Sequence, residues 1–118
     1  MDLKSAIRTY QFAERAKSEL IIGSHMITAL VQFPNQEKPG GKRMLLMMLE
    51  SIRTELEFAH RDTRRREFRN AIDQLNEAIS LIESMELGAA SERMSRAISA
   101  STTAAQVAWD TLKEHGLL

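Results

Sequence analysis

The sequence predicts an all-α protein, an up-down-up-down four-helix bundle formed by a single domain over residues 1–118. Three observations carry that expectation. Apolar residues recur at steps of three, four and seven along most of the chain. Only two prolines and five glycines punctuate it. Nowhere do strand-favouring residues alternate for long enough to build a sheet.

The first helix is expected over about residues 3–31. Leu3, Ile7, Tyr10, Ala13, Ala16, Leu20, Ile27 and Leu30 follow the helical period and mark a buried stripe. Phe12, Ile21, Ile22, Met26 and Val31 widen the stripe, which predicts burial on more than one side of its second half. Gly23 weakens the helix by about 1 kcal/mol relative to alanine, or admits a close neighbour. Both prolines and two adjacent glycines fall in residues 33–41, which predicts a loop there.

A second helix is expected over about residues 42–60. Its run Met44-Leu45-Leu46-Met47-Met48-Leu49 is apolar all round, more than the single stripe a bundle helix needs. That run predicts a central helix or a surface pressed against another subunit, with Met44, Leu46, Met47 and Met48 as interface candidates. A third helix over about residues 63–86 has the cleanest face, formed by Phe68, Ala71, Ile72, Leu75, Ala78, Ile79, Ile82 and Met85. Gly88 is the expected C-cap. Only Asp62 or Thr63 offers an N-cap at the break before it, and one continuous helix over 42–86 is the rival. The last helix, over about residues 90–114, stops at Gly116. Met94, Ala97, Ile98, Ser101, Ala104, Ala105, Ala108, Trp109 and Leu112 line one side of it. Its serines and threonines are poor helix formers, so packing must hold it.

Composition excludes several function classes. With no cysteine there is no disulfide, thiolate nucleophile or cysteine-based zinc site. His25, His60 and His115 are scattered, and no cofactor motif is present. Pro39-Gly40-Gly41-Lys42 lacks the length and the flanking strand of a phosphate-binding loop. No stretch approaches the roughly 18 apolar residues that would span a bilayer. The N-terminus carries no signal-peptide core, so a cytoplasmic protein without a membrane partner is expected.

The formal net charge is zero but unevenly spread: residues 1–70 carry +4 and residues 71–118 carry −4. Five arginines, Arg61, Arg64, Arg65, Arg66 and Arg69, crowd the junction of the second and third helices. In an up-down bundle that junction lies at the same end as both termini, where Lys4 or Arg8 would add to it. Lys42 and Arg43 fall at the opposite end as secondary candidates. Guanidinium forks match phosphate geometry, so the cluster is a candidate RNA or DNA contact. Solvated pairing with Asp62, Glu67 and a neighbour's acids is the alternative. Phe68 is the one aromatic inside the cluster and its phase turns it to the core, so base stacking is not indicated.

Arg53 and His60 lie two helical turns apart and share a face. Their spacing resembles the Arg-x4–6-His of the HEPN family, helical domains of which many cleave RNA. That resemblance implies an arginine stabilising developing phosphorane charge and a histidine acting as general acid or base. Glu55 and Glu57 point to different sides of their helix, and Glu83 with Glu86 has no histidine at metal-ligand spacing. Ser24-His25 adjacency is not catalytic geometry either. The leading expectation is therefore a non-enzymatic protein, with a protein–protein adaptor as a further alternative.

A first helix ending in Phe33-Pro34, a basic entry Lys42-Arg43, the segment Ile52-Arg53-Thr54-Glu55-Leu56-Glu57-Phe58-Ala59, an arginine-rich turn and Trp109 near the end follow one another. That order resembles the accessory variability determinant proteins of diversity-generating retroelements. It also resembles the four-helix-bundle proteins encoded in intervening sequences of bacterial ribosomal RNA genes. The likeness covers about residues 14–113. It implies a pentameric, basic-surfaced assembly of bundles, an accessory or scaffold role, and RNA or DNA and a reverse transcriptase as partners.

Overall fold

The computed structural model describes residues 1–118, and it holds four α-helices and no strand: α1 (Leu3–Val31), α2 (Lys38–Thr63), α3 (Arg66–Glu83) and α4 (Leu87–Glu114). Asp2 opens α1, its carboxylate accepting the Ser5 N–H at 2.7 Å. That hydrogen bond holds the Asp2 carboxyl below the usual carboxylate range. The buried face of α1 is Ala6, Thr9, Ala13, Ala16, Leu20, Gly23, Ile27 and Leu30. Ile7, expected in the stripe, is exposed instead, and its place is taken by Ala6 and Thr9. Small residues win because α1 lies close against the alanines of α4, where a larger side chain has no room. Ile22 and Val31 also face solvent, so the second half of α1 is not buried on further sides within one chain.

The connection to α2 is shorter than the sequence predicts. Lys38, Pro39, Gly40 and Gly41 form the first turn of α2 rather than a loop. Proline is suited to that turn, since its missing N–H would have no partner there. A Cβ on Gly41 would lie 2.7 Å from the Phe33 ring and 2.8 Å from Leu30 Cδ1, so glycine permits the close approach of α1 and α2.

α2 and α3 are separate helices. Arg64 takes a left-handed backbone, φ 58°, and donates its N–H to the His60 carbonyl at 2.8 Å. The break lies at 64–65, so α2 runs three residues beyond its expected end and α3 begins three residues late. Neither Asp62 nor Thr63 caps α3; Arg65 does so with extended backbone and no side-chain cap. The Thr63 hydroxyl instead donates to Ala59 O and accepts the Arg65 N–H. At the other end of α3 the expected cap Gly88 lies inside α4. Met85 reverses the chain at φ 59°, and Glu86 N–H closes the turn on Leu81 O at 2.8 Å. α4 stops at Glu114, before Gly116 at φ 73°, as its sequence predicts.

Cross-helix contacts show that chain neighbours run antiparallel. Arg8 meets Asp62 and Arg15 meets Glu55 across α1 and α2. Arg53 meets Asn76 across α2 and α3, and Arg93 meets Glu77 across α3 and α4. Tyr10 and Trp109 close the ring of helices, their ring centroids 5.9 Å apart. These pairings agree with an up-down-up-down order in a body 54 Å long and 23 Å by 18 Å across. The core runs its length: Leu20, Ile27, Leu45, Leu49, Ile52, Leu56, Phe68, Leu75, Ile82 and Met94 are almost wholly buried. α4 packs intimately along α1 and α3, and Gly23 of α1 admits Leu49 and Met94 to 3.0 Å of where its Cβ would be. The expected α3 face is buried in full apart from Met85, which sits in the turn. No helix is long and apolar enough to cross a membrane.

Candidate nucleic-acid interface

The antiparallel order brings the α2–α3 turn to the end where α1 begins, and six arginines gather there. Their roles divide. Arg65 is committed to Glu67: Nε and Nη2 donate to the two carboxylate oxygens at 2.9 and 3.3 Å. Glu67, in the first turn of α3, is only 7% exposed, so its charge is held by this fork and by the helix N-terminus. Arg66 Nε lies 4.0 Å from the same carboxylate, yet its side chain is 91% exposed. Arg69 pairs with Asp73 one turn on, at 3.3 Å. Arg8 reaches Asp62 at 3.6 Å from α1.

Arg61 and Arg64 appear in no ion pair. Arg61 lies over the Phe58 ring, 5.9 Å from its centroid, which orients the guanidinium while leaving its edge free. Arg64, whose backbone is left-handed, is exposed. Six arginines thus face Asp62, Glu67 and Asp73, a local excess of three positive charges on a neutral chain. Phe68 is fully buried and meets Phe12 edge-on at 6.4 Å, so no aromatic platform accompanies the cluster.

The remaining sequence candidates lie elsewhere. Lys42 donates to the Glu83 carbonyl at 3.3 Å, tying the opposite end of the molecule, with Arg43 exposed beside it. Arg53 donates to Asn76 Oδ1 at 2.9 Å and lies 3.9 Å from Glu57, so it is engaged between α2 and α3. His60 is half-buried two turns away. In the apolar run of α2, Met44 and Met47 are 64% and 60% exposed, Leu46 and Met48 are half-buried, and Leu45 and Leu49 enter the core. No three His, Asp or Glu side chains converge where they could hold a metal ion.

No protein-family model, curated protein or solved structure matches this chain.

One cluster escaped sequence reasoning. Arg15 bridges Glu55 at 2.6 Å and Glu19 at 3.0 Å on the outer side of α1 and α2. A hydrogen bond to Glu19, partial burial and the Glu19 charge together push the Glu55 carboxyl above its ordinary range, against the pull of Arg15. The signal that would have found it is register. Antiparallel pairing sets 8 against 62 and 12 against 58, and therefore 15 against 55.

Proposed function

We propose that this chain is a non-enzymatic, self-associating accessory or scaffold protein that contacts RNA or DNA phosphates through the α2–α3 turn. The observation that supports this reading is the division within the arginine cluster. Arg65 is engaged by a buried carboxylate, while Arg61 and Arg64 form no ion pair and Arg66, 91% exposed, reaches the same carboxylate only at 4.0 Å, so the three extend from one end of the molecule. Contacts of this kind are to backbone phosphate, so binding is independent of sequence and falls steeply with salt. A reverse transcriptase as protein partner belongs to the same reading and rests on the family resemblance alone. Self-association is supported by the exposed Met44 and Met47. The ribonuclease alternative lacks comparable support, because Arg53 is engaged by Asn76 and Glu57.

The test is a salt titration of binding to a labelled single-stranded RNA and a labelled duplex, followed by fluorescence anisotropy. Replacing Arg64, Arg66 and Arg69 with glutamine removes up to three phosphate contacts. The slope of log K against log salt should then fall by about 2 to 3, at roughly 0.7 to 0.9 per contact. An unchanged slope, or no binding by the native chain at low salt, would overturn the assignment.

A further inference from the structure

The outer side of the α1–α2 pair presents an apolar surface that the fold does not cover. Away from the chain ends, its four most exposed large apolar side chains are Met44 at 64%, Met47 at 60%, Phe58 at 55% and Ile22 at 51%. All four lie on this one side. Toward the connecting loop, Met26, Phe33, Gly41 and Met44 line an open groove of about 300 Å³. Toward the arginine cluster, Phe58 projects beside Phe12, their ring centroids 5.9 Å apart. Arg15, Glu19 and Glu55 lie between the groove and the projecting ring.

The spacing of these features is regular. Phe12, Glu19, Met26 and Phe33 follow one another at seven residues on and just beyond α1, and Met44, Ser51 and Phe58 do the same on α2. A seven-residue step keeps positions on one face of packed helices. Ser51 is the midpoint between Met44 and Phe58, and Glu19 is the midpoint between Phe12 and Met26. A two-fold axis lying in this face, across both helices at the level of Glu19 and Ser51, therefore sets Phe58 opposite Met44 of the facing copy and Phe12 opposite its Met26. Knob and groove exchange places, which is the self-complementarity an isologous interface requires.

We propose that a second copy of this chain docks antiparallel on the α1–α2 face, with Ser51 beside the two-fold axis and Phe58 of each copy entering the groove of the other. The inference deepens the self-association part of the function above and rests on it, and it replaces the five-fold assembly implied by the family resemblance with a two-fold one. Area supports the occupant. From Phe12 to Phe33 the face runs about 32 Å at 1.5 Å per residue, and two adjacent helices make it about 20 Å wide. That projection, on the order of 640 Å², corresponds to a larger accessible area and approaches the roughly 800 Å² that each partner gives to a stable interface. A single foreign helix laid in the groove would leave Phe58 uncovered. In the pair, the two arginine clusters stand at opposite ends. Each lies about thirteen residues of helix, or roughly 20 Å, from the axis, so the two are about 40 Å apart. A nucleic acid must span that distance to engage both.

The full-length chain tests this directly. Light scattering on a sizing column should give twice the 13.4 kDa chain mass, and Met47→Glu should return it to one chain with its helical circular dichroism unchanged. The chain has no cysteine, so a single Ser51→Cys substitution marks the axis. A short bis-maleimide should link that variant into dimers and should leave Ser99→Cys, exposed on α4, unlinked. A native mass of one chain or of more than two, a dimer that survives Met47→Glu, or efficient linking of Ser99→Cys but not Ser51→Cys would each overturn the proposal. The Arg64, Arg66 and Arg69 glutamine variant should keep the dimer mass, so failure of pairing and failure of nucleic-acid contact read out separately.

Discussion

Glu67→Gln separates what holds the arginine cluster together from the phosphate contact proposed for it. Glu67 is buried in the first turn of α3 and accepts from both Nε and Nη2 of Arg65. Hydrogen bonds to a charged group contribute about 1.5 to 3 kcal/mol each when geometry is good. An anion in the first helical turn adds about 0.3 to 1 kcal/mol. Glutamine keeps one acceptor but loses the charge, so a net loss of about 2 kcal/mol is expected. For a chain of this size that lowers Tm by roughly 8 °C, taking about 4 °C per kcal/mol. The same change frees the Arg65 guanidinium and raises the local excess charge by one. Nucleic-acid binding should therefore tighten at low salt, and its salt slope should steepen by about 0.7 to 0.9. Calorimetric melting and anisotropy titration on one preparation give both numbers. A lower Tm with weaker binding would show that Arg65 contacts the ligand under the guidance of Glu67, refuting the division of roles. An unchanged Tm would refute the clamp itself.

Two other substitutions probe the turn and the outer face. Met85→Gly should raise stability by about 1 kcal/mol, because a non-glycine residue at φ 59° costs about 1 to 2 kcal/mol; urea midpoints that do not rise would sink the strain argument. Glu55→Gln tests the carboxylate pair. The folded-state value of Glu55 is raised, so its stabilising contribution is complete below the ordinary carboxylate range and is lost as pH rises through the raised value. A permanently neutral glutamine should therefore leave the fold at least as stable near pH 7, by a few tenths of a kcal/mol given the solvent access of the pair, and should flatten stability between acid and neutral pH. A loss beyond about 0.5 kcal/mol would mean that the bridge to Arg15 outweighs repulsion by Glu19.

What could be read from the sequence depended on whether one kind of force acted alone. α3 is amphipathic in the simplest sense, and every expected core position from Phe68 to Ile82 is buried. The phase of α1 misled because hydrophobicity does not choose its face near the start. Close approach to the alanines of α4 does, and it selects Ala6 and Thr9 over the larger Ile7. The bounds of α1 and the end of α4 match the expectation, while the start of α2 and the two breaks that flank α3 differ from it for another reason. Glycine and proline were read as breaks, yet Pro39, Gly40, Gly41 and Gly88 all sit in first turns, while the actual reversals fall on Arg64 and Met85. The left-handed backbone at those two positions falls on residues other than glycine or asparagine, so local propensity gives no sign of it.

The arginine cluster shows the same boundary at the level of a site. Its place at one end of the molecule follows from helix order, which the sequence carries. Which arginines are free does not follow, because burial of Glu67 is a property of the packed turn and in sequence the residue is one acid among five arginines. Once Glu67 is buried it must be neutralised, since an unpaired internal carboxylate would cost several kcal/mol, and Arg65 is the nearest guanidinium with the reach to fork it. The fold thus uses one arginine to stabilise the turn and leaves its neighbours' charge directed outward. The antiparallel pairing proposed above would extend that economy, because burying the α1–α2 face, with Phe58 and the Arg61 that lies over it at its margin, leaves Arg64 and Arg66 in solvent and sets the two clusters at opposite ends of one assembly.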